Sequence, residues 1–123
     1  QSMVQGYPNI SMQESPSDVE LRELIRHAKA TIYVPVDEDF GMSPVESMAC
    51  GTPVIGVNDG GLKESITNGI SGLLIDERCH PDDIVAAIQK LNNTPLKSES
   101  CVLRASEFSL EKFQSTLTSL IEK

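Results

Sequence analysis

The chain has 123 residues, of which 39% are hydrophobic and 23% are charged, so it can form one compact domain with its own core. A formal net charge of −8, with 18 acidic and 10 basic residues and no basic run, argues against binding along a nucleic acid backbone, which needs clustered Lys and Arg. It does not exclude a single phosphorylated ligand, because the backbone N–H groups of a helix N-terminus bind phosphate locally.

The predicted elements begin after residues 1–3, which resemble the scar of an expression tag and are set apart from a domain of residues 4–123. Ile10–Gln13 is predicted as a short strand. Ser17–Glu20 has the S-x-x-E spacing of a capping box and predicts the start of a helix. Apolar residues recur through that helix at i, i+3, i+4 and i+7, namely Leu21, Leu24, Ile25 and Ala28.

The next stretch predicts a second strand and a second helix. Thr31–Val34 is a β-branched run, and the acidic residues 36–42 after it are predicted as a loop. Ser43–Glu46 has capping-box spacing and Pro44 at the favoured first helical position, so we expect a helix to start there. Gly51 is expected to end this helix in the C′ position.

The rest of the chain continues the alternation of strands and helices. Val54–Val57 is predicted as a buried strand, Gly60–Gly61 as a turn, Leu62–Ile66 as a short helix and Gly72–Ile75 as another strand. A longer helix is expected to begin at Pro81. Two further helices are predicted near the end, at about 97–105 and at Leu110–Ile121.

This order predicts an α/β fold, a Rossmann-like parallel sheet with helices on both faces. Such folds bind ligands beyond the carboxyl ends of their strands. The loops at residues 36–43 and 58–62 follow consecutive predicted strands and should therefore lie at the same edge of the sheet.

The cysteines and histidines suggest neither disulfides nor a metal site. Cys50, Cys79 and Cys101 are odd in number and form no C-x-x-C pattern, so we expect free thiols in a reducing, cytoplasmic compartment. His27 and His80 are isolated from them, which gives no support for zinc. No apolar stretch approaches the length of a membrane span.

The first candidate loop combines carboxylates with the start of a helix. Glu38 and Glu46 stand eight residues apart, and Gly41 between them would let the backbone approach a ligand closely. A carboxylate can accept from two vicinal hydroxyls, while helix N-terminal amides favour phosphate. A nucleotide sugar has both features, because its ribose and its hexose flank a diphosphate.

These segments resemble the E-x7-E signature of the family 4 glycosyltransferases, which are retaining GT-B enzymes. Later, Gly69–Leu74 and Phe108–Ser109 resemble two further motifs of the family, and the resemblance covers about residues 9 to 122. The residues that match the signature and the G-G-x-x-E motif after it are Glu38, Phe40, Gly41, Glu46, Met48, Ala49, Gly51, Pro53, Val54, Ile55, Gly60, Gly61 and Glu64.

The resemblance implies a role for each matching residue of the loops. Glu46 would hold the ribose hydroxyls, and Glu38, the implied catalytic residue, would face the transferred sugar. The other implied donor-binding residues are Phe40, Gly41, Met42, Ser43, Gly60 and Gly61. The implied reaction moves a hexose, with retention, from a nucleoside diphosphate sugar to a carbohydrate or lipid-linked acceptor. No metal and no cofactor besides this donor is expected, and we interpret the D-x-D spelling of residues 37–39 as coincidence.

The chain also departs from the family pattern. Asp39 stands where most members have Gly, and this variant looks most like mannosyltransferases of polysaccharide assembly. The family binds the diphosphate with an upstream Arg and Lys, to which Arg22, Arg26 and Lys29 do not correspond. We therefore expect residues 4–123 to be the later part of the C-terminal, donor-binding half of a GT-B enzyme, truncated on its N-terminal side. That fragment should be inactive alone, and the full-length enzyme would be cytoplasmic with peripheral membrane contact.

Other interpretations stay open at this point. The chain could be a non-catalytic module that binds nucleotide sugars, or part of a GT-B-fold epimerase. Glu46 could be only the capping partner of Ser43, although one carboxylate has acceptor sites for both roles. Glu38 by itself would be a solvated loop acid, and Gly60–Gly61 by itself only a turn.

Overall fold

The computed structural model describes residues 5–35 and 40–122. Within these ranges the chain forms three strands and six helices. The strands are β1 (Thr31–Tyr33), β2 (Val54–Val57) and β3 (Gly72–Ile75); the helices are α1 (Asp18–His27), α2 (Met42–Ala49), α3 (Leu62–Ser65), α4 (Pro81–Asn93), α5 (Ser98–Ser106) and α6 (Leu110–Ile121).

The strands form the predicted parallel sheet, and their order in it is β1-β2-β3. Ile55 pairs with Ile32 on one side and with Leu73 on the other. All four residues of β2 are buried, as expected for the central strand of a parallel sheet covered on both faces.

One face of the sheet carries the larger part of the core, where α2 and α3 pack on β2 and α5 packs on α2. Met48 and Leu62 reach this face from α2 and α3, and Cys101 reaches it from α5. Met48 is fully buried, and burial of such a side chain contributes about 1.5–3 kcal/mol. The apolar stripe of α2 therefore determines how the start of that helix is placed relative to the sheet.

The opposite face is covered by α4. Ile55 and Leu73 pack there against Ala87, with Leu91 at the margin. Helices thus lie on both faces of the sheet, which confirms the predicted architecture.

A short series of hydroxyl contacts fastens α1 and α2 to the start of the sheet. The Thr31 and Ser47 hydroxyl oxygens are 2.7 Å apart, and Ser47 Oγ donates to the Thr52 carbonyl at 3.0 Å. Thr52 Oγ1 in turn donates to the Ile25 carbonyl in α1 at 2.7 Å. Ser47 and Thr52 are buried, so these bonds form away from competing water.

The ends of the helices agree with most of the local signals. The capping box at α1 is present, since Glu20 N donates to Ser17 Oγ at 3.1 Å and Ser17 N donates to the Glu20 carboxylate at 3.0 Å. Gly51 follows the C-cap of α2 with φ 82°, as predicted for a C′ glycine. None of the helices in the described ranges is long and apolar enough to cross a bilayer.

The predicted strand at Ile10–Gln13 is wrong. These residues are exposed and pair with no strand in the described ranges. The described sheet has three strands rather than four, because a segment of four residues becomes a strand only where a neighbouring strand pairs with it.

Candidate functional site

Most of the predicted site residues follow the carboxyl ends of β1 and β2. Because these strands are parallel neighbours, the segments after them lie at the same edge of the sheet. The predicted donor-binding residues there are Phe40, Gly41, Met42, Ser43, Glu46, Gly60 and Gly61. Glu38, the predicted catalytic residue, lies outside the described residues, as do Asp37 and Asp39.

The start of α2 differs from the prediction. The N-cap is Gly41, with φ 84° and ψ 101°, and it makes no side-chain cap. Ser43 is therefore the second helical residue and Pro44 the third, so the predicted capping box of Ser43 and Glu46 is wrong. Glycine adopts this positive φ at little cost. The helix can therefore begin at Met42, one residue before Ser43, the predicted N-cap.

Among the described residues, no side chain accepts from the first-turn amides of α2, because the N-cap is a glycine. Helix N-terminal N–H groups have no partner within the helix and attract negative charge. Met42 and Ser43 are exposed, while Gly41 is buried beneath them. The N–H groups of Met42 and Ser43 at this end of the helix suit an anionic oxygen, while Pro44, the third helical residue, has no N–H to offer.

Glu46 lies one turn further along α2. It is the fifth helical residue and is exposed. Because Ser43 is not the N-cap, the interpretation of Glu46 as its capping partner is wrong as well. Its carboxylate lies on the same helix as the first-turn amides, so a single ligand with phosphate and hydroxyl groups could contact both.

The segment after β2 contains the predicted turn. Gly60 has φ 54°, and Gly61 is the N-cap of α3. Lys63 and Glu64 on this single helical turn are exposed, whereas Leu62 is buried against the core. The Leu62 anchor holds the Gly60–Gly61 turn close to the carboxyl end of the sheet.

Two residues near this edge carry little or no local sequence signal. Phe108 was matched only as part of a terminal motif, yet its ring centroid lies 5.4 Å from that of Phe40. Arg104 was not singled out, yet it donates to the last carbonyls of α3 at Glu64 and Ser65. These contacts span 39 and 40 residues of sequence, so no periodicity or motif within one element could have revealed them.

The end of β3 adds an ion pair to the same edge. Arg78 Nε and Nη2 lie 3.0 and 3.1 Å from the two carboxylate oxygens of Asp76. The hydrogen bonds from Arg78 lower the pKa of Asp76 to about 2 and raise the pKa of Arg78. Both groups are exposed, so the pair affects local charge more than stability.

A cavity of about 620 Å³ lies at the other end of the sheet. It is lined near the starts of β1 and β2 by Ala30 and Pro53, together with Arg26 and Lys29. None of the predicted donor-binding residues lines it. Ligands of parallel sheets bind beyond the carboxyl ends of the strands, so this cavity is not the candidate site.

No metal centre is evident in residues 5–35 and 40–122, where no three side chains of His, Cys, Asp or Glu are placed to hold an ion together. Cys50, Cys79 and Cys101 are free thiols. Cys101 is fully buried, and burial raises the pKa of its thiol.

Sequence comparisons identify a family for this chain. The profile described as "Glycosyl transferases group 1" matches residues 7–108. The alpha-1,3/1,6-mannosyltransferase ALG2 of Dictyostelium discoideum is 33% identical over 107 residues, covering 81% of this chain and 24% of that protein. The D-inositol 3-phosphate glycosyltransferase of Geodermatophilus obscurus is 37% identical over 108 residues, covering 86% and 23%. The chain thus spans about a quarter of the length of these relatives.

Solved structures share the fold. Sucrose-phosphate synthase from Thermosynechococcus elongatus superposes with a TM-score of 0.81 and 25% identity, over 98% of this chain and 32% of that one. Anabaena Alr3699/HepE in complex with UDP-glucose superposes with a TM-score of 0.66 and 18% identity, over 81% and 29%. The first superposition includes nearly every residue of the chain, so the arrangement of strands and helices described above recurs in a known enzyme.

Proposed function

The chain belongs to the glycosyl transferases group 1 family, and we propose that it supplies the donor-binding side of a retaining, GT-B-type glycosyltransferase. The donor in this proposal is a nucleoside diphosphate sugar, and a hexose passes from it to a carbohydrate or lipid-linked acceptor. The observation that carries the proposal is the start of α2, where the N-cap is a glycine with no side-chain acceptor and the exposed residues Met42 and Ser43 lie one turn before the exposed Glu46.

The diphosphate is assigned to the first turn of α2 and to the Gly60–Gly61 turn. The amides of Met42 and Ser43 belong to that first turn, and its positive end favours the negative charge of the ligand. Glycines at positions 41 and 60 have positive φ and let the backbone approach phosphate or sugar oxygens without side-chain bulk. Both segments follow parallel neighbouring strands, which supports a single ligand bridging them.

The two glutamates take different parts of the donor. Glu46 is exposed on α2 and does not cap it, so its carboxylate is assigned to the vicinal hydroxyls of the ribose. Glu38 is assigned to the transferred hexose by its place in the E-x7-E signature. Neither assignment needs a metal ion or a further cofactor.

The remaining parts of the proposal concern the whole enzyme. The acceptor would bind on a second domain that faces this edge of the sheet, and reaction would need both sides to hold donor and acceptor together. The relatives are named as a mannosyltransferase and an inositol phosphate glycosyltransferase, and HepE was solved with UDP-glucose and with UDP. These names support a nucleotide sugar as donor. The enzyme would act in the cytoplasm, with peripheral membrane contact where its acceptor is lipid-linked.

The test compares Glu46→Gln with Glu38→Ala in an enzyme that joins this chain to its acceptor-binding side. Glu46→Gln should weaken nucleoside diphosphate binding by about 1.5–3 kcal/mol, because charge-assisted bonds to a diol are lost. Glu38→Ala should lower turnover far more than it weakens binding of the bare nucleotide. Glu64→Gln is the matched control, since Glu64 is exposed near the same edge and is assigned no ligand contact.

The outcomes separate the proposal from its alternatives. Equal loss of turnover and nucleotide affinity in Glu38→Ala would contradict the division of roles. Nucleotide-sugar binding without transfer to any acceptor would favour a non-catalytic module, and release of an epimerised sugar would favour an epimerase.

A further inference from the structure

A series of side-chain contacts runs from Phe40, at the start of the segment that leads into α2, to the end of α3, the helix that follows the Gly60–Gly61 turn. The rings of Phe40 and Phe108 have centroids 5.4 Å apart and planes inclined by 57°. Such tilted aromatic pairs are favourable beyond the apolar area that they bury, because ring edges and faces carry opposite partial charge. Phe40 directly precedes Gly41, the N-cap of α2. The contact with Phe108 therefore fixes the position of the chain where it enters the first turn of α2.

The guanidinium group of Arg104 continues the series, because it lies over the same Phe108 ring. Its central carbon lies 5.0 Å from the Phe108 ring centroid, within the range of a cation–π interaction. Arg104 lies in the last turn of α5 and Phe108 two residues beyond its end, and both are half-buried. The N–H groups of Glu107 and Phe108 donate to the Arg104 and Ala105 carbonyls, so this turn holds the two side chains close together.

The Arg104 side chain also caps the C-terminus of α3. Its Nε donates to the Ser65 carbonyl at 2.8 Å, and its Nη2 donates to the Glu64 carbonyl. Glu64 and Ser65 are the last residues of α3, where carbonyls lack helical partners and the helix dipole favours a cation. Because α3 is one turn of four residues, about 6 Å long, a fixed C-terminus also fixes its N-terminus at Gly61.

The geometry points to Phe108 and Arg104 as positioning residues that hold the two candidate donor-binding segments, Phe40–Ser43 and Gly60–Gly61, in one fixed relative arrangement. The inference rests on the proposed function, because the ligand that needs this arrangement is the nucleotide sugar. Neither residue touches the ligand. Each acts through a neighbour, Phe108 through Phe40 and Arg104 through the carbonyls of α3.

The test measures amide hydrogen exchange in the chain with Arg104→Met, Phe108→Leu and both changes together. Exchange at Ser65 and Ile66, the last residue and the C-cap of α3, and at Val45 and Glu46 in α2, should rise about tenfold in each single variant. The double variant should show little further rise, since either change breaks the same series. Arg104→Lys keeps the charge but loses the planar fork, and should fall between the wild type and Arg104→Met.

Matched controls are Arg22→Met and Phe113→Leu, the same replacements on exposed positions of α1 and α6, and they should leave these amides unchanged. The inference is overturned if Arg104→Met affects only α3 while Phe108→Leu affects only α2, because the two segments would then be independent. It is also overturned if amide exchange in β2 rises as much as exchange in α2 and α3. Arg104 and Phe108 would then stabilise the fold as a whole rather than the two segments.

A titration of each variant with uridine diphosphate separates this inference from the proposed function. If the wild-type chain binds the nucleotide at the two segments, Phe108→Leu should weaken that binding about fivefold, in line with the value of one aromatic pair. Unchanged affinity would overturn the positioning role. If the wild-type chain shows no binding there while the exchange results hold, the proposed function fails and the coupling of the two segments stands.

Discussion

Thr31 and Ser47 share a hydrogen bond of 2.7 Å between their hydroxyl oxygens, which ties the first strand of the sheet to the helix that begins at the candidate site. Ser47 Oγ also donates to the Thr52 carbonyl at 3.0 Å, so the Thr31 hydroxyl is the donor in the shared bond. The two bonds occupy the side of α2 that faces the sheet. The placement of the α2 N-terminus thus depends on polar contacts as well as on the burial of Met48.

Ser47→Ala should lower the free energy of unfolding by about 1–3 kcal/mol, because the buried Thr52 carbonyl loses its side-chain donor. Chemical denaturation would measure the change. Ser43→Ala on the same helix is the control and should change stability by less than about 0.5 kcal/mol, since Ser43 is exposed and is not the N-cap. A larger loss from Ser43→Ala than from Ser47→Ala would restore the predicted capping box.

Gly72→Ala should be among the most destabilising single changes in the sheet. An added Cβ would overlap the Val54 carbonyl oxygen and press on Ile66, and backbone in a central strand cannot move aside. We expect a loss of about 1–3 kcal/mol or more, measured by thermal unfolding. Gly69→Ala meets no neighbouring atom within 4 Å and should cost only the strain of its positive φ, about 1–2 kcal/mol. A smaller loss at Gly72 than at Gly69 would contradict the close approach of β2 and β3 at this position.

Asp76 should titrate with a pKa of about 2 by carboxyl NMR, because Arg78 hydrogen-bonds to its charged form. In Arg78→Gln the pKa should return towards the ordinary value of 3.8. The folded-state pKa is depressed, so any stabilisation is present above about pH 3.8 and is lost as the pH falls towards 2. Glu77→Gln, beside the pair, should leave the pKa of Asp76 low. An unchanged pKa in Arg78→Gln would show that the Arg78 side chain does not cause the shift, since the backbone N–H of residue 78 still donates to Asp76 in that variant.

Cys101 should react with alkylating reagents much more slowly than Cys50 and Cys79, because it is fully buried and burial raises its thiol pKa. Its folded-state pKa lies above the ordinary value of 9.0, so unfolding releases the proton and stability falls as the pH rises past 9. Cys101→Ala should reduce that fall. Mass spectrometry after brief iodoacetamide treatment would show the order of reactivity, and equal labelling of all three thiols would contradict the burial.

Much of the fold follows from local sequence. Val54–Val57 and Gly72–Ile75 are strands at the predicted bounds, because short apolar runs between Pro, Gly and polar residues leave little choice of register. Leu110–Ile121 was also predicted with its observed bounds, since Ser109 caps it and its apolar residues keep helical spacing. In these elements propensity, pattern and boundary signals agree.

The failures come where a contact outside the element decides. Ile10–Gln13 has no partner strand in the described residues, which a single sequence cannot show. A second capping box was missed at His80, whose ring accepts from Asp82 N while Asp83 accepts from His80 N, because histidine is an uncommon N-cap. At α2 the helix begins after Gly41 rather than at Ser43, because glycine adopts the positive φ of this N-cap. Glu46 therefore has no capping role, and its carboxylate is available for a ligand.

The central claim is that the α2 N-terminus and the Gly60–Gly61 turn bind the diphosphate of a nucleotide sugar. The most direct test is an NMR titration of the chain with uridine, guanosine and adenosine diphosphates, with Glu46→Gln as the comparison variant. We predict amide shifts at Met42, Ser43 and Gly61, and a Kd of about 1 mM, near 4 kcal/mol, because the proposed site assigns backbone amides and no Arg or Lys side chain to the diphosphate. Shifts confined to the cavity near Arg26, or no shifts at these amides, would contradict the claim; tight, base-selective binding would contradict the predicted weakness.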